Sequence, residues 1–105
     1  MACKAFVKWR YRLGMAFILT RINVGDYDAW KPLFDQDVPQ ARAAAKGWRV
    51  FRSVDDPGEV FVLVEFESED EAREGRERLL GSGVLDRFSD KSGPTLVEVA
   101  EAVGY

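Results

Sequence analysis

Three aromatic residues, Tyr27, Trp30 and Phe34, recur at helical spacing and could stack on a flat ring held over an apolar floor. The plain alternative is a helix stripe packing on a sheet. Pro32 lies within the same stretch, and a kink near residue 37 opens a cleft between helix and sheet suited to a flat aromatic ligand. Four charges form a second group. Arg21, Arg52, Glu65 and Glu98 each sit inside a strand-like stretch beside apolar neighbours, where a charge must pair, reach solvent or serve a ligand. Cross-strand salt bridges account for them simply. The sharper reading gives Arg52 or Arg21 an anionic or phenolate oxygen to hold, and makes Glu65 the base of a cyclase or isomerase. Asn23 could orient a substrate oxygen or cap a turn. Trp48 shares the Arg52 side of its strand and joins Tyr27, Phe34, Arg21 and Glu65 as candidate substrate contacts, with Asn23, Trp30 and Arg52 as the candidate catalytic set. Lys31 and Arg42 read as solvated.

Other chemistries are excluded by composition. The chain has no histidine, which removes Ser-His nucleophile pairs, His-ligated zinc and axial-His haem together. No paired-carboxylate, phosphate-loop or metal-ligand spacing is present, so no metal site is expected. Asp55 and Asp56 are explained by turn formation. A lone Cys3 cannot close an internal disulfide and suits a reducing cytoplasm. Residues 1–14 carry four basic groups and no acid, and the rest carry eleven basic and eighteen acidic groups, a body at −7 within a chain at −3. Such a body is a poor polyanion binder, so nucleic acid is not an expected partner. No apolar run approaches a membrane span. With 105 residues the chain suffices for one domain and one core.

The elements that must position these residues are organised around Trp48 to Glu67. Trp48, Val50 and Arg52 alternate with Arg49, Phe51 and Ser53, Asp55-Asp56-Pro57-Gly58 is turn chemistry, and Val60 to Val64 is a continuous apolar run expected of a central strand. Before it, Met15 to Val24 alternates as a strand. The segment Asp26 to Lys46 reads as a helix in two pieces, the first capped by Asp28 and the second by Asp37, with Ala41 to Lys46 as the second piece and Gly47 as its stop. After the hairpin, Ser68 to Glu71 is a capping box, followed by a helix whose thin apolar face is Ala72, Gly75, Leu79 and Leu80. Small residues on that face place the helix close to the sheet. Gly81 to Gly83 ends it, Val84 to Phe88 adds a short turn, Ser89 to Pro94 is loop, and Thr95 to Val103 is the last strand.

Residues 1–14 alternate as an amphipathic strand and read as an appendage to a domain of residues 15–105, with Met15 a possible natural start. The order strand, helix, strand, strand, helix, strand folds most economically as a four-stranded antiparallel sheet with both helices on one face. The other face stays bare and apolar, and a second copy, sheet against sheet, is its simplest cover.

The run GDYDAWKPLFDQDVPQARAAAKGWRVFRSVDDPGEVFVLVEFES, from Gly25, resembles the antibiotic-biosynthesis-monooxygenase-like group of the dimeric α+β barrel superfamily. The DYDAWK start, the Arg42 and Gly47 region, the DDP turn and the VLVEFES strand carry the likeness, which spans about residues 15–103. It implies a ferredoxin-like α+β protomer that pairs as a dimeric barrel. It also implies a cofactor-free oxygenase of aromatic polyketides, a polyketide cyclase or a haem degrader; the alternative from another class is a non-catalytic ligand-binding or stress-associated dimer whose Arg and Glu residues knit the barrel. Cofactor-free oxygenases of the group use Asn, Trp, Tyr and Arg around an anthrone-like substrate, and Asn23, Trp30, Tyr27 and Arg52 match those residue types. Haem degraders of the group use an Asn, a Trp on the third strand and a His on the second helix. This chain has Phe66 at the strand position and no histidine.

Overall fold

The computed structural model describes residues 15–103; the appendage assigned to residues 1–14 lies outside the described residues. The chain runs β1 (Ala16–Asn23), α1 (Tyr27–Gln36), β2 (Gly47–Arg52), β3 (Glu59–Phe66), α2 (Glu69–Ser82), a 3₁₀ turn (Val84–Arg87) and β4 (Lys91–Val97). The strands form one sheet in the order β2-β3-β1-β4, and every neighbouring pair is antiparallel. This is the ferredoxin-like βαββαβ arrangement that the element order predicts. β3 holds the centre because its alternate residues Val60, Val62, Val64 and Phe66 are buried. They pack with Ile18 and Ile22 of β1 against Trp30 of α1, Ala72 of α2 and Leu85, so both helices cover one sheet face.

The two helices meet that face differently. At the level of Cα atoms α2 lies close to β1, β3 and β4, whereas α1 is close to none of the described strands and reaches the sheet through its side chains. Gly75 explains the approach of α2. A Cβ there would lie 2.6 Å from the Ala41 carbonyl oxygen and 3.0 Å from Phe66 Cζ. Ser68 caps α2 by accepting from the Glu71 N–H, and Glu69–Arg73 and Glu74–Arg78 pair along its solvated side as the spacing predicts.

Several boundaries differ from the sequence reading. The cap of α1 is Asp26, whose carboxylate accepts from the N–H groups of Asp28 and Ala29; Asp28 lies inside the first turn. The expected second helical piece is a set of turns, because Asp37 and Gln40 both take left-handed backbone angles. Asp37 nevertheless caps these turns, accepting from the N–H groups of Ala41 and Arg42. Leu80 is 55% exposed rather than part of the buried face of α2, and Gly81 and Ser82 continue that helix to a left-handed cap at Gly83. β4 starts at Lys91, inside the expected loop, and ends at Val97, which leaves Glu98 beyond the sheet.

The close approach at Gly75 is testable. The atom opposing it is backbone and cannot step aside, so Gly75→Ala should lower stability by about 1–3 kcal/mol despite alanine's better helix propensity. Gly81→Ala in the same helix meets nothing within 4 Å and should raise stability by about 0.5 kcal/mol. Urea midpoints at unchanged slope read both.

Candidate functional site

Because α1 stands off the sheet, a cavity of about 270 Å³ lies beneath it. Ile18, Thr20 and Ile22 of β1 and Val62 and Val64 of β3 make its floor, Trp30 and Phe34 its roof, and Leu79, Leu85 and Phe88 close one side. The lining is chiefly apolar. Its roof is an aromatic ladder along α1, with Tyr27 and Trp30 ring centres 5.8 Å apart and those of Trp30 and Phe34 5.0 Å apart, each pair tilted. Tilted pairs of this kind set the positive edge of one ring towards the negative face of the next.

An arginine flanks each end of the ladder. At one end the Arg52 guanidinium lies over the Tyr27 ring, 4.8 Å from its centre, with Arg52 itself exposed. At the other, Arg42 is almost wholly buried and lines the cavity. Its guanidinium sits 3.7 Å from the Phe34 ring centre and 4.5 Å from that of Trp48, a cation held by two aromatic rings. Its Nη2 donates to the Phe34 carbonyl in the last turn of α1, which also accepts from the Asp37 N–H, and its Nε lies 3.6 Å from Asp37 Oδ1. Burial pushes the Arg42 pKa below its ordinary value, with Asp37 and Asp35 opposing that effect. The guanidinium still carries its charge at any physiological pH, so the cavity wall holds a desolvated cation.

The residues expected from sequence separate into three groups. Trp30 and Phe34 line the cavity. Tyr27, Arg52 and Trp48 stand at its two ends through the stacking just described. Arg21, Asn23 and Glu65 are elsewhere: the register pairs Phe17 with Glu65, Arg21 with Phe61 and Asn23 with Glu59, opposite in parity to the buried Val60, Val62 and Val64, on the sheet face away from the helices. Arg21 is held by Glu59 at 2.8 Å and Asp90 at 2.6 Å, and these hydrogen bonds, Asp90 first, raise its pKa. Asn23 Oδ1 accepts from the Gly25 N–H and its Nδ2 donates to Asp56 Oδ2, tying the β1–α1 loop to the β2–β3 turn. Arg42 is the site residue that sequence reasoning passed over. Its signal was weak, a single arginine in an alanine-rich stretch.

No group of His, Cys, Asp or Glu among the described residues could hold a metal ion. No family model and no curated protein matches the chain. Solved structures do. A mutant form of SnoaB, a cofactor-independent oxygenase from Streptomyces nogalater, superposes with a TM-score of 0.65 at 14% identity over 84% of this chain and 95% of that one. A candidate antibiotic biosynthesis monooxygenase from Nitrosomonas europaea gives 0.62 at 16% identity, covering 90% of this chain and 99% of that one. The protein Rv0793 of Mycobacterium tuberculosis gives 0.61 at 15% identity, covering 87% and 100%.

The chain shares the fold of these three proteins. Within that fold the cavity lies between α1 and the sheet, and the arginines that stack on rings at its two ends differ in exposure. The contact of the buried guanidinium should be the stronger, although Trp48 itself is half exposed. A double-mutant cycle of Arg42→Gln with Trp48→Ala should give a coupling energy of about 1–2 kcal/mol, and one of Arg52→Gln with Tyr27→Ala no more than about 0.5–1 kcal/mol, both by urea unfolding.

Proposed function

We propose that this protein binds a small aromatic molecule in the cavity under α1 and oxygenates it without a cofactor. The observation that carries the proposal is a chiefly apolar cavity roofed by Trp30 and Phe34 with the Arg42 cation in its wall. SnoaB, which shares the fold, is a cofactor-independent oxygenase, and that supports the same reaction class here.

In this scheme the substrate itself is the reductant. Rings pack between Trp30 and the valine floor, and Arg42 favours the deprotonated, oxyanion form of a phenol or enol by placing a cation beside it in a low-dielectric site. The electron-rich anion reduces oxygen. A ring C–H is replaced by C=O, one oxygen atom enters the product, the other leaves as water, and the protons released by the substrate complete that water. Arg52 and Tyr27, at the far end of the ladder, help hold the substrate's outer edge. Glu65, the base of the cyclase reading, faces away from the cavity, which favours oxygenation over a Glu65-dependent isomerisation. A binding protein without turnover is the second reading, favoured by the fact that both Asp37 oxygens already accept backbone N–H groups, so that Asp37 is not a free base beside Arg42.

Oxygen uptake against a panel of anthrones, naphthols and hydroquinones separates the two. Uptake well above the buffer rate, falling at least tenfold in folded Trp30→Ala and Arg42→Gln and less in Arg52→Ala, is the expected result. A well-folded protein that takes up no oxygen but is thermally stabilised by the same compounds would leave only the binding reading.

We further propose that the second sheet face is covered by another copy of the chain. Leu19 and Phe51 there are 39% and 49% exposed, beside half-buried Phe61 and Leu63. Light scattering should give twice the chain mass, and Phe51→Asp should give the single-chain mass with the fold intact by circular dichroism.

A further inference from the structure

Resting on the cavity reading above, we infer that the ligand is a one- or two-ring aromatic carboxylate, seated with its carboxylate on the outer edge of Arg42. The guanidinium is the first ground. It offers five N–H donors in two usable edges, one formed by Nε and Nη2 and one by Nη1 and Nη2. The protein uses the first edge, Nη2 donating to the Phe34 carbonyl and Nε facing Asp37. Among the described residues Nη1 has no acceptor, although the Arg42 side chain is only 7% exposed. Among the described residues no fully buried side-chain nitrogen or oxygen lacks a partner, so Nη1 keeps some accessible surface, and Arg42 is a lining residue of the cavity. An unused fork of two donors on a planar cation matches a carboxylate, which takes both at once.

Charge supports the same ligand. Asp37 compensates Arg42 only in part, because its oxygens are shared with the N–H groups of Ala41 and Arg42 and its nearest approach is 3.6 Å. Size is the third ground. A cavity of about 270 Å³ falls just below the range of about 300–1,000 Å³ in which drug-sized ligands sit. It suits one or two fused rings and crowds three. Thr20, whose residue is 4% exposed on the floor, offers the floor's hydroxyl to a ring substituent.

The test is calorimetric titration of the wild-type chain at neutral pH with benzoate, 2-naphthoate, methyl 2-naphthoate, 2-naphthol and anthracene-2-carboxylate, with Arg42→Gln alongside. 2-Naphthoate should bind at least tenfold more tightly than its methyl ester, than 2-naphthol and than the three-ring acid, and folded Arg42→Gln should lose that preference over the ester. An ester or naphthol that binds as tightly as the acid overturns the inference, as does tighter binding of the anthracene acid or the absence of heat with every compound. These comparisons use the wild type, so they decide the matter even where Arg42→Gln fails to fold. Naphthoate binding without oxygen uptake leaves the inference standing and removes the oxygenase. Anthrone turnover with no preference for acids removes the inference alone.

Discussion

The approach of Gly75 to the Ala41 carbonyl is the contact on which the site depends. It lets α2 lie down on the sheet and at the same time presses against the backbone one residue before Arg42. The connector between α1 and β2 is fixed from both sides, by α2 beneath it, with Arg78 donating to the Gln40 carbonyl, and by the Asp37 carboxylate above it. Only a connector held this firmly can carry a long, charged side chain inward and keep it between two rings. In water an arginine–aromatic contact is worth little, and in a buried place about 2 kcal/mol. The backbone packing of α2 therefore sets the electrostatics of the cavity.

The opposite arrangement governs α1. Its side chains, not its backbone, span the distance to the sheet, and large rings cannot fill that distance completely. Trp30 and Phe34 act as spacers as well as walls. A helix with small residues in their place would settle onto the strands as α2 does, and the cavity would close. The two helices thus divide the work by residue size: Gly75 and Ala72 give α2 contact, and Trp30 and Phe34 give α1 height.

Much of this was legible in the sequence. Alternation in Ala16 to Asn23 and the valine run of β3 fix two central strands, and the spacing of Tyr27, Trp30 and Phe34 fixes the ladder, since both follow from local periodicity. The small residues of α2 announced a close helix. What remained hidden came from contacts distant in sequence or from backbone angles that no glycine marks. Asp37 and Gln40 take left-handed angles at φ 46° and 58°, turning what reads as an alanine-rich helix into a loop that faces inward. Read as helix, Arg42 belongs on a solvated face; in the loop it belongs to the cavity. Asn23, Arg21 and Glu65 erred in the other direction. Their types suit a site, and strand parity groups them on one face, but only the position of the helices shows that it is the face away from the cavity.

One consequence of the height of α1 concerns how the molecule opens. The sheet and α2 share backbone contacts and form one cooperative block, whereas α1 is joined to that block through rings and one buried guanidinium. Native proteins open in units set by such differences in contact density. The amide protons of α1 would then exchange through a local lifting of the helix, and those of β3 only when the whole fold is lost. A molecule that fills the space below α1 would slow exchange in that helix first, and so mark its own binding place on the backbone.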